Sequence, residues 1–223
     1  HLLSSQDAHV RRVAVETLAQ ISVKHDPECI PAIAECLDDA SSSLSLAAVR
    51  AFSRHTDKGI ATFADCIDKN WWGCGHQATL LQVLVRFLKE GSAEIAQSLV
   101  KLLNNMDAFV RVAAANSLQS IAIRGDDTVV CALASCLCDP NAHVGKCVAK
   151  AITKLAEKDN ATHIDAIAVH LQSDSATVRL RAIATLAPLV DDGHTGVVCA
   201  IIDLLKDEDR TVCTTATSFL SQL

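Results

Sequence analysis

The chain has 223 residues and a formal net charge of −6; half of its residues are apolar, only 3% are aromatic and none is tyrosine. No apolar run approaches the roughly 18 residues that a membrane-spanning helix needs, so no membrane insertion is predicted. The core must be built from Ala, Val, Leu and Ile, which suits helices packed closely on helices.

Two kinds of helix alternate along the chain. The first kind, helix A, is clearest over 27–38, where Ile30, Ile33 and Leu37 form one apolar stripe at helical spacing. Asp26 precedes Pro27, which places a capping residue before a proline at the first helical position. Equivalent stripes are Ile60/Phe63/Ile67, Ile95/Leu99/Leu103, Val130/Leu133/Leu137, Ile164/Ile167/Leu171 and Val198/Ile201/Leu205.

The second kind, helix B, carries a signature that returns seven times, mostly at intervals of 34 residues. Its clearest copy is Asp7, Val10, Arg11, Ala14 and Leu18, and a repeat of this length is typical of a stacked helical solenoid. Close copies are Asp107/Val110/Arg111/Ala114/Leu118 and Ser175/Val178/Arg179/Leu186, and degenerate copies are Leu44/Ala48/Phe52, Val144/Val148/Ile152 and Val212/Ala216/Leu220. The remaining copy is poor and runs from about Gln77 to Leu88 through Leu81, Leu84 and Val85.

Short polar residues precede the predicted helices. Their side chains can accept hydrogen bonds from the backbone N–H groups of the first turn, which have no partner within the helix. The expected caps of helix B are Asp7, Ser41, Asp107, Asn141, Ser175 and Asp209, and those of later A helices are Asp127 or Thr128, Asn160 and Thr195.

One unit departs from the pattern. Between the helices expected to end near Ile67 and to begin near Gln77, a glycine-flanked loop contains both tryptophans of the chain, Trp71 and Trp72. Tryptophan is a favoured interface anchor, so this loop is a candidate partner-binding element. The alternative is that both indoles fill a gap beside a short helix A.

The alternation of apolar-Pro-x-apolar…Leu-x-Asp with Val-Arg-x-x-Ala-x-x-x-Leu resembles HEAT repeats. The short period and the Asp26-Pro-Glu-Cys-Ile-Pro31 turn are most similar to the HEAT-like repeats also seen in phycobilisome lyases. The resemblance implies an all-α, right-handed, armadillo-like superhelix of stacked antiparallel helix pairs, with helix A on the convex side and helix B lining the concave side. It also implies a scaffold role, in a ladder between neighbouring units, for Asp7, Arg11, Asp107, Arg111 and Arg179.

The predicted domain organisation is a single HEAT-like solenoid over 1–223, with about six and a half repeats. The first residues look like the tail of a helix A, since Leu3 lies 34 residues before Leu37. Neither end has the polar capping repeat that a complete array requires, so a segment of a longer protein is expected.

Charge is sorted between the two kinds of helix. Basic residues gather on helices B and acidic residues on helices A, which predicts a mildly basic groove suited to an acidic or phosphorylated segment of a partner protein. The alternative is ordinary solvation of two exposed faces. The predicted partner-binding residues are Arg50, Arg54, Trp71, Trp72, Lys146, Lys150 and Lys154.

The ten cysteines are too sparse for a disulfide framework, and no Cys-x-x-Cys spacing suggests a metal site. We interpret them as reduced thiols used as small buried residues, which predicts a cytoplasmic protein. One sequon, Asn160-Ala161-Thr162, points instead to a secretory route.

Catalytic chemistry is not predicted. His163 and His170 share a helix face, but no acidic residue completes a site, and no nucleophile motif, phosphate loop or dinucleotide fingerprint occurs, so no metal or cofactor is expected. The predicted function is a noncatalytic scaffold or adaptor that binds a protein. Two alternatives stay open: a bilin (chromophore) lyase-like subunit, on the style of repeat alone, and a nucleic-acid-binding HEAT-like protein, which the acidic balance and scarce aromatics disfavour.

Overall fold

The computed structural model describes residues 2–21 and 93–223, together with a few single positions between Ile33 and Ala51. Nine α-helices lie in the two described stretches. They are α1 Ala8–Ile21, α2 Ala93–Leu102, α3 Ala108–Ile121, α4 Asp127–Ser135, α5 Ala142–Leu155, α6 Ala161–Ala168, α7 Ala176–Leu186, α8 Thr195–Asp203 and α9 Arg210–Leu220. Helices α2, α4, α6 and α8 are the predicted A helices, and α1, α3, α5, α7 and α9 are the predicted B helices.

The chain divides into two compact units, His1–Ile121 and Ala122–Leu223. Within the second unit each helix packs against its neighbour in the chain or its counterpart in the next pair: α4 against α5 and α6, α7 against α5, α6 and α9, and α8 against α9. This arrangement of stacked antiparallel pairs is the predicted solenoid packing. A single continuous array over 1–223 would include both units, and it stays a prediction.

Apolar anchors at helical spacing form the core of the pairs. Leu133 and Leu137 from helix A, and Val148 and Ile152 from helix B, are fully removed from solvent. The predicted stripe of the last helix A is only partly right. Helix α8 ends at Asp203 and the chain continues as a 3-10 turn over Leu204–Lys206. Ile201 is buried, but Leu205 is 39% exposed, whereas Leu137 in the equivalent 3-10 turn after α4 is fully buried.

Most predicted caps of the B helices are confirmed. The carboxylate of Asp7 accepts from the backbone N–H of His9 at 2.8 Å, and Asp107 does the same for Phe109. Asn141 and Asp209 each accept from two amides of the first turn. Ser175 stands at the N-cap of α7 but makes no capping hydrogen bond. Ser41 lies outside the described residues.

The predicted N-cap residues of the A helices are wrong in two of three cases. Asp126 caps α4 by accepting from the N–H of Val129, because Asp127 and Thr128 are already helical. His194 stands at the N-cap of α8 without a side-chain bond, because Thr195 is already the first helical residue. The prediction for Asn160, which accepts from the N–H of His163, is confirmed.

Two inter-repeat bonds recur in the loops that lead from helix B to the next helix A. The backbone N–H of Gly125 donates to the carbonyl of Leu155 at 2.8 Å, and that of Asp159, 34 residues on, donates to Leu189 at 3.1 Å. Both donors have left-handed backbone conformations, with φ of 84° and 62°. Glycine adopts this region freely and aspartate tolerates it, so the loop can repeat with either residue.

Candidate functional site

The arginine of the B-helix signature makes the same local bonds in three repeats. Nη1 of Arg11, of Arg111 and of Arg179 each donates to the backbone carbonyls five and six residues earlier, at distances of 2.6–3.1 Å. These carbonyls follow the preceding helix A and would otherwise lack an intrahelical partner. The signature arginine therefore fixes the turn between the two helices of a pair.

Arg179 also joins neighbouring repeats. Its Nε and Nη2 donate to the two carboxylate oxygens of Asp207, both at 2.7 Å, and the two side chains are only 14% and 5% exposed. The hydrogen bond from the guanidinium lowers the pKa of the Asp207 carboxyl, and the same bond raises the pKa of Arg179. The scaffold role that the resemblance implied for Arg179 matches this geometry.

The signature arginine is missing from α5, where Gly145 takes its place. A Cβ on Gly145 would meet the guanidinium of Arg181 from the next helix B, so a side chain at residue 145 requires Arg181 to move. Nη1 of Arg181 donates to the carbonyl of Leu137 at 2.8 Å and lies 3.4 Å from that of Asp139. Arg181 thus reaches back one repeat to the same turn, where Asp139 carries one of the two carbonyls that an arginine at residue 145 would serve.

A buried histidine occupies a position where equivalent repeats have valine. His163 is fully buried, as are Val129 and Val197 at the same place in α4 and α8. Its Nδ1 accepts from the backbone N–H of Glu157, and its Nε2 lies 2.9 Å from Oδ1 of Asp127 without hydrogen-bond geometry. The expected face shared with His170 does not form a site, since His163 is directed into the fold.

The side chain of Asn160, the asparagine of the sequon, makes hydrogen bonds within the fold with both of its polar atoms. Its Oδ1 caps α6, and its Nδ2 donates to Asp127 at 3.3 Å. The amide nitrogen that glycosylation would modify therefore already bridges two repeats.

Three potential metal ligands, Asp159, Asp191 and His194, bring their ligand atoms within 4.8 Å of one another. The group is largely paired within itself. Asp191 accepts from the N–H of Gly193, which lowers the pKa of its carboxyl, and it also contacts Nδ1 of His194 at 3.0 Å and the ammonium of Lys158 at 3.8 Å. We interpret the group as a network that joins two adjacent loops.

Burial of the cysteines is mixed. Of the seven cysteines among the described residues, Cys36 and Cys136 are buried as expected. Cys138 and Cys199 are exposed, so the prediction that the cysteines serve as buried residues is wrong for them. Cys138 lies at the end of a 3-10 turn and Cys199 on the outer side of α8, where neither contributes to an apolar stripe.

Three predicted partner-binding residues lie together on α5. Lys146, Lys150 and Lys154 are all exposed, and their spacing of four residues places them in one row along the helix. Within the described residues, none of the three makes a salt bridge or a side-chain hydrogen bond. The remaining predicted residues, Arg50, Arg54, Trp71 and Trp72, lie outside the described residues and stay predictions.

The sorting of charge is complete in the second unit. Helices α4, α6 and α8 contain Asp127, Asp165 and Asp203 but no Lys or Arg. Helices α5, α7 and α9 contain Lys and Arg but no Asp or Glu. The first unit is less strict, since α1 includes Glu16 and α2 includes Lys101. None of the described helices is long and apolar enough to cross a membrane.

The described helices thus define an α-helical repeat protein of stacked antiparallel pairs. The family model of the PBS lyase HEAT-like repeat matches residues 10–39, and the signature in this match recurs along the chain. Residues 10–39 are therefore similar to a HEAT-like repeat, as the sequence predicted. No curated protein matches the chain significantly.

Solved structures with similar folds come from designed and natural repeat proteins. A designed armadillo repeat protein in complex with the peptide (KR)4 is 19% identical, with 99% of this chain and 95% of that chain covered and a TM-score of 0.43. The archaeal HEAT-like repeats protein from Thermococcus onnurineus NA1 is 15% identical, with 95% and 91% covered and a TM-score of 0.46. Human deoxyhypusine hydroxylase is also 15% identical, with 98% and 81% covered and a TM-score of 0.47. Likenesses at this level carry no information about function.

Proposed function

We propose that this chain is a noncatalytic scaffold that binds an acidic or phosphorylated segment of a partner protein through the exposed face of its B helices. The observation behind the proposal is the row of Lys146, Lys150 and Lys154 on α5, together with the absence of acidic residues from α5, α7 and α9.

The lysine row differs from the two arginines of α7. Arg179 is engaged by Asp207 and Arg181 by two carbonyls, so both are used to hold the repeats together. The three lysines keep their charge at the surface, where nearby like charges repel one another and no carboxylate from the same helix offsets them. Such a row attracts negative charge over about 8–10 Å at moderate ionic strength.

A catalytic role is not proposed. The thiol of Cys147 lies 4.0 Å from Nε2 of His143, but burial raises the pKa of this thiol and so disfavours the thiolate that a nucleophilic cysteine requires. The polar groups around His163 and around His194 are directed into the fold or paired among themselves. Neither group offers a nucleophile beside a base, which the recognition of a catalytic site requires.

A charge reversal with a matched control tests the proposal. Lys150→Glu changes the row, and Lys206→Glu makes the same change at an exposed position of the turn that follows α8. A fluorescent oligoglutamate peptide serves as the first probe, and a partner purified with the full protein serves as the second. We expect Lys150→Glu to weaken binding severalfold and to reduce its salt dependence, while Lys206→Glu leaves both unchanged.

Two outcomes would contradict this function. Equal affinity of the wild type and Lys150→Glu at low salt would show that the row is only a solvated face. Tighter binding of a single-stranded oligonucleotide of the same charge than of the peptide, with a steeper salt slope, would support the nucleic-acid alternative. Circular dichroism must first show that both variants are folded.

A further inference from the structure

The surface beside the lysine row changes its chemistry from one helix to the next. Residues 34 positions apart occupy equivalent places, so Lys146, Lys150 and Lys154 on α5 correspond to Leu180, Ala184 and Pro188 at α7. Leu180 is half-buried and the other two are exposed. The next equivalent positions, at α9, are Thr214, Ser218 and Gln222, all exposed.

The three rows run side by side. Helix α7 packs against both α5 and α9, and packed helices lie about 8–10 Å apart. Along each helix, residues four apart are separated by about 6 Å. The hydroxyl of Thr214 donates a hydrogen bond to the backbone carbonyl of Thr211, and the hydroxyl oxygen of Ser218 accepts one from the side-chain amide of Gln222. The basic row is therefore bordered on one side by a strip of small, uncharged, partly apolar side chains.

The direction in which the rows run determines which kind of partner segment can contact all three lysines. An extended segment that crosses the helices would meet only one lysine, followed by one apolar residue and one uncharged polar residue. A segment aligned with α5 can contact all three lysines. To contact the uncharged side chains of α7 as well, the segment must be wide enough to present two different faces. An α-helix, with a diameter of about 10 Å, has that width.

We propose, building on the proposed function, that the partner segment is an amphipathic helix that lies along α5, with acidic side chains on one edge against Lys146, Lys150 and Lys154 and apolar side chains on the other edge against Leu180 and Ala184. The small side chain of Ala184 lets the partner's backbone approach closely. The i, i+4 spacing of the lysines is the spacing of acidic residues on one edge of such a helix.

Two synthetic peptides of identical composition test the inference. Both are alanine-rich helices of about 16 residues with three Glu and three Leu. In the first peptide the Glu residues lie on one edge at i, i+4 and i+8, and the Leu residues on the adjacent edge; in the second, both kinds are dispersed around the helix. Fluorescence anisotropy measures their affinity for the full chain, and circular dichroism checks that all proteins and both peptides are folded to the same extent.

The wild type is expected to bind the edged peptide about tenfold more tightly than the dispersed one, a difference of about 1.4 kcal/mol. Ala184→Glu removes this preference, because it places a carboxylate against the apolar edge. The matched control Ser218→Glu makes the same exposed substitution at the equivalent position of α9 and leaves the preference intact.

The outcomes separate this inference from the function on which it rests. Equal affinity of the two peptides for the wild type, or an unchanged preference in Ala184→Glu, overturns the amphipathic-helix inference while the acidic partner still holds. If Lys150→Glu weakens neither peptide, the proposed function itself fails. Loss of the preference in Ser218→Glu to the same extent as in Ala184→Glu would show a long-range charge effect and would also overturn the inference.

Discussion

At the scale of single residues, Arg179 performs two tasks with one guanidinium. It satisfies two carbonyls in its own repeat and pairs with Asp207 in the next. Removing one partner of a buried charge pair leaves the other charge without compensation, which is more costly than the pair's net contribution.

We therefore expect Asp207→Ala to lower the free energy of unfolding by about 2–4 kcal/mol. Asp203→Ala is the control, since Asp203 is exposed at the end of α8 and should change stability by less than about 0.5 kcal/mol. Urea unfolding followed by circular dichroism measures both. Equal stability of the two variants would show that the ion pair is dispensable.

The same carboxylates make stability depend on acid. The pKa values of Asp207, Asp209 and Asp191 lie below the ordinary 3.8, because a guanidinium donates to the first and backbone amides to the other two. A lowered folded-state pKa stabilises the protein above the ordinary value, and this contribution is lost as the pH falls through the folded-state value.

The urea midpoint should accordingly fall as the pH is lowered from about 5 toward 3. The fall should be smaller in Asp207→Asn, which has lost one of the titrating groups. An identical acid dependence in the variant would mean that Asp207 does not titrate with folding.

Gly145 offers a test in which the sign of an effect reverses. Gly→Ala within a helix ordinarily stabilises by about 0.5–1 kcal/mol. Here the added Cβ displaces Arg181 from its carbonyl acceptors, a loss of about 1.5–3 kcal/mol for hydrogen bonds made by a charged group.

Gly145→Ala alone should thus destabilise the protein, whereas the same change in an Arg181→Ala background should stabilise it. A double-mutant cycle of urea unfolding gives the coupling energy. Additive effects would show that the two residues do not compete for the same space.

At the scale of elements, a short polar residue stands at the N-cap of each B helix, but not every one of these residues makes a capping hydrogen bond. Asn141 accepts from two amides of α5, while Ser175 at the same position of α7 makes no capping bond. Asn141→Ala should cost about 1 kcal/mol, and Ser175→Ala should cost almost nothing. Thermal unfolding of the two variants measures the difference, and a similar loss in both would mean that Ser175 caps α7 in solution.

At the scale of the whole molecule, stability in a repeat array is carried by contacts between neighbours. Ile152 of α5 is fully buried, so Ile152→Ala should cost about 2–5 kcal/mol. Amide exchange should rise most in α4, α5 and α7, which pack together, and less in α9, which packs against α7 and α8. A uniform rise over Ala122–Leu223 would indicate that this unit unfolds as one cooperative body.

Much of the fold followed from the sequence because helices are local. The 34-residue period located the helix pairs, the apolar spacing identified anchors such as Leu133 and Ile167, and short polar residues marked most helix starts. The exposure of Lys146, Lys150 and Lys154 also followed, since they lie opposite the apolar stripe of α5. All these features depend on residues within a few turns of one another.

Other features depended on packing between residues far apart in the chain. The resemblance to HEAT repeats implied a structural role for Arg179. Nothing in the sequence distinguishes Arg181 from a surface arginine, and only the structure shows that it occupies the space beside Gly145, 36 residues earlier. The sequence placed His163 and His170 on one helix face, but it did not show that His163 is buried at a valine position beside Asp127. Spacing along one helix determines which side chains share a face, whereas only the stacking of repeats determines which groups from different helices meet.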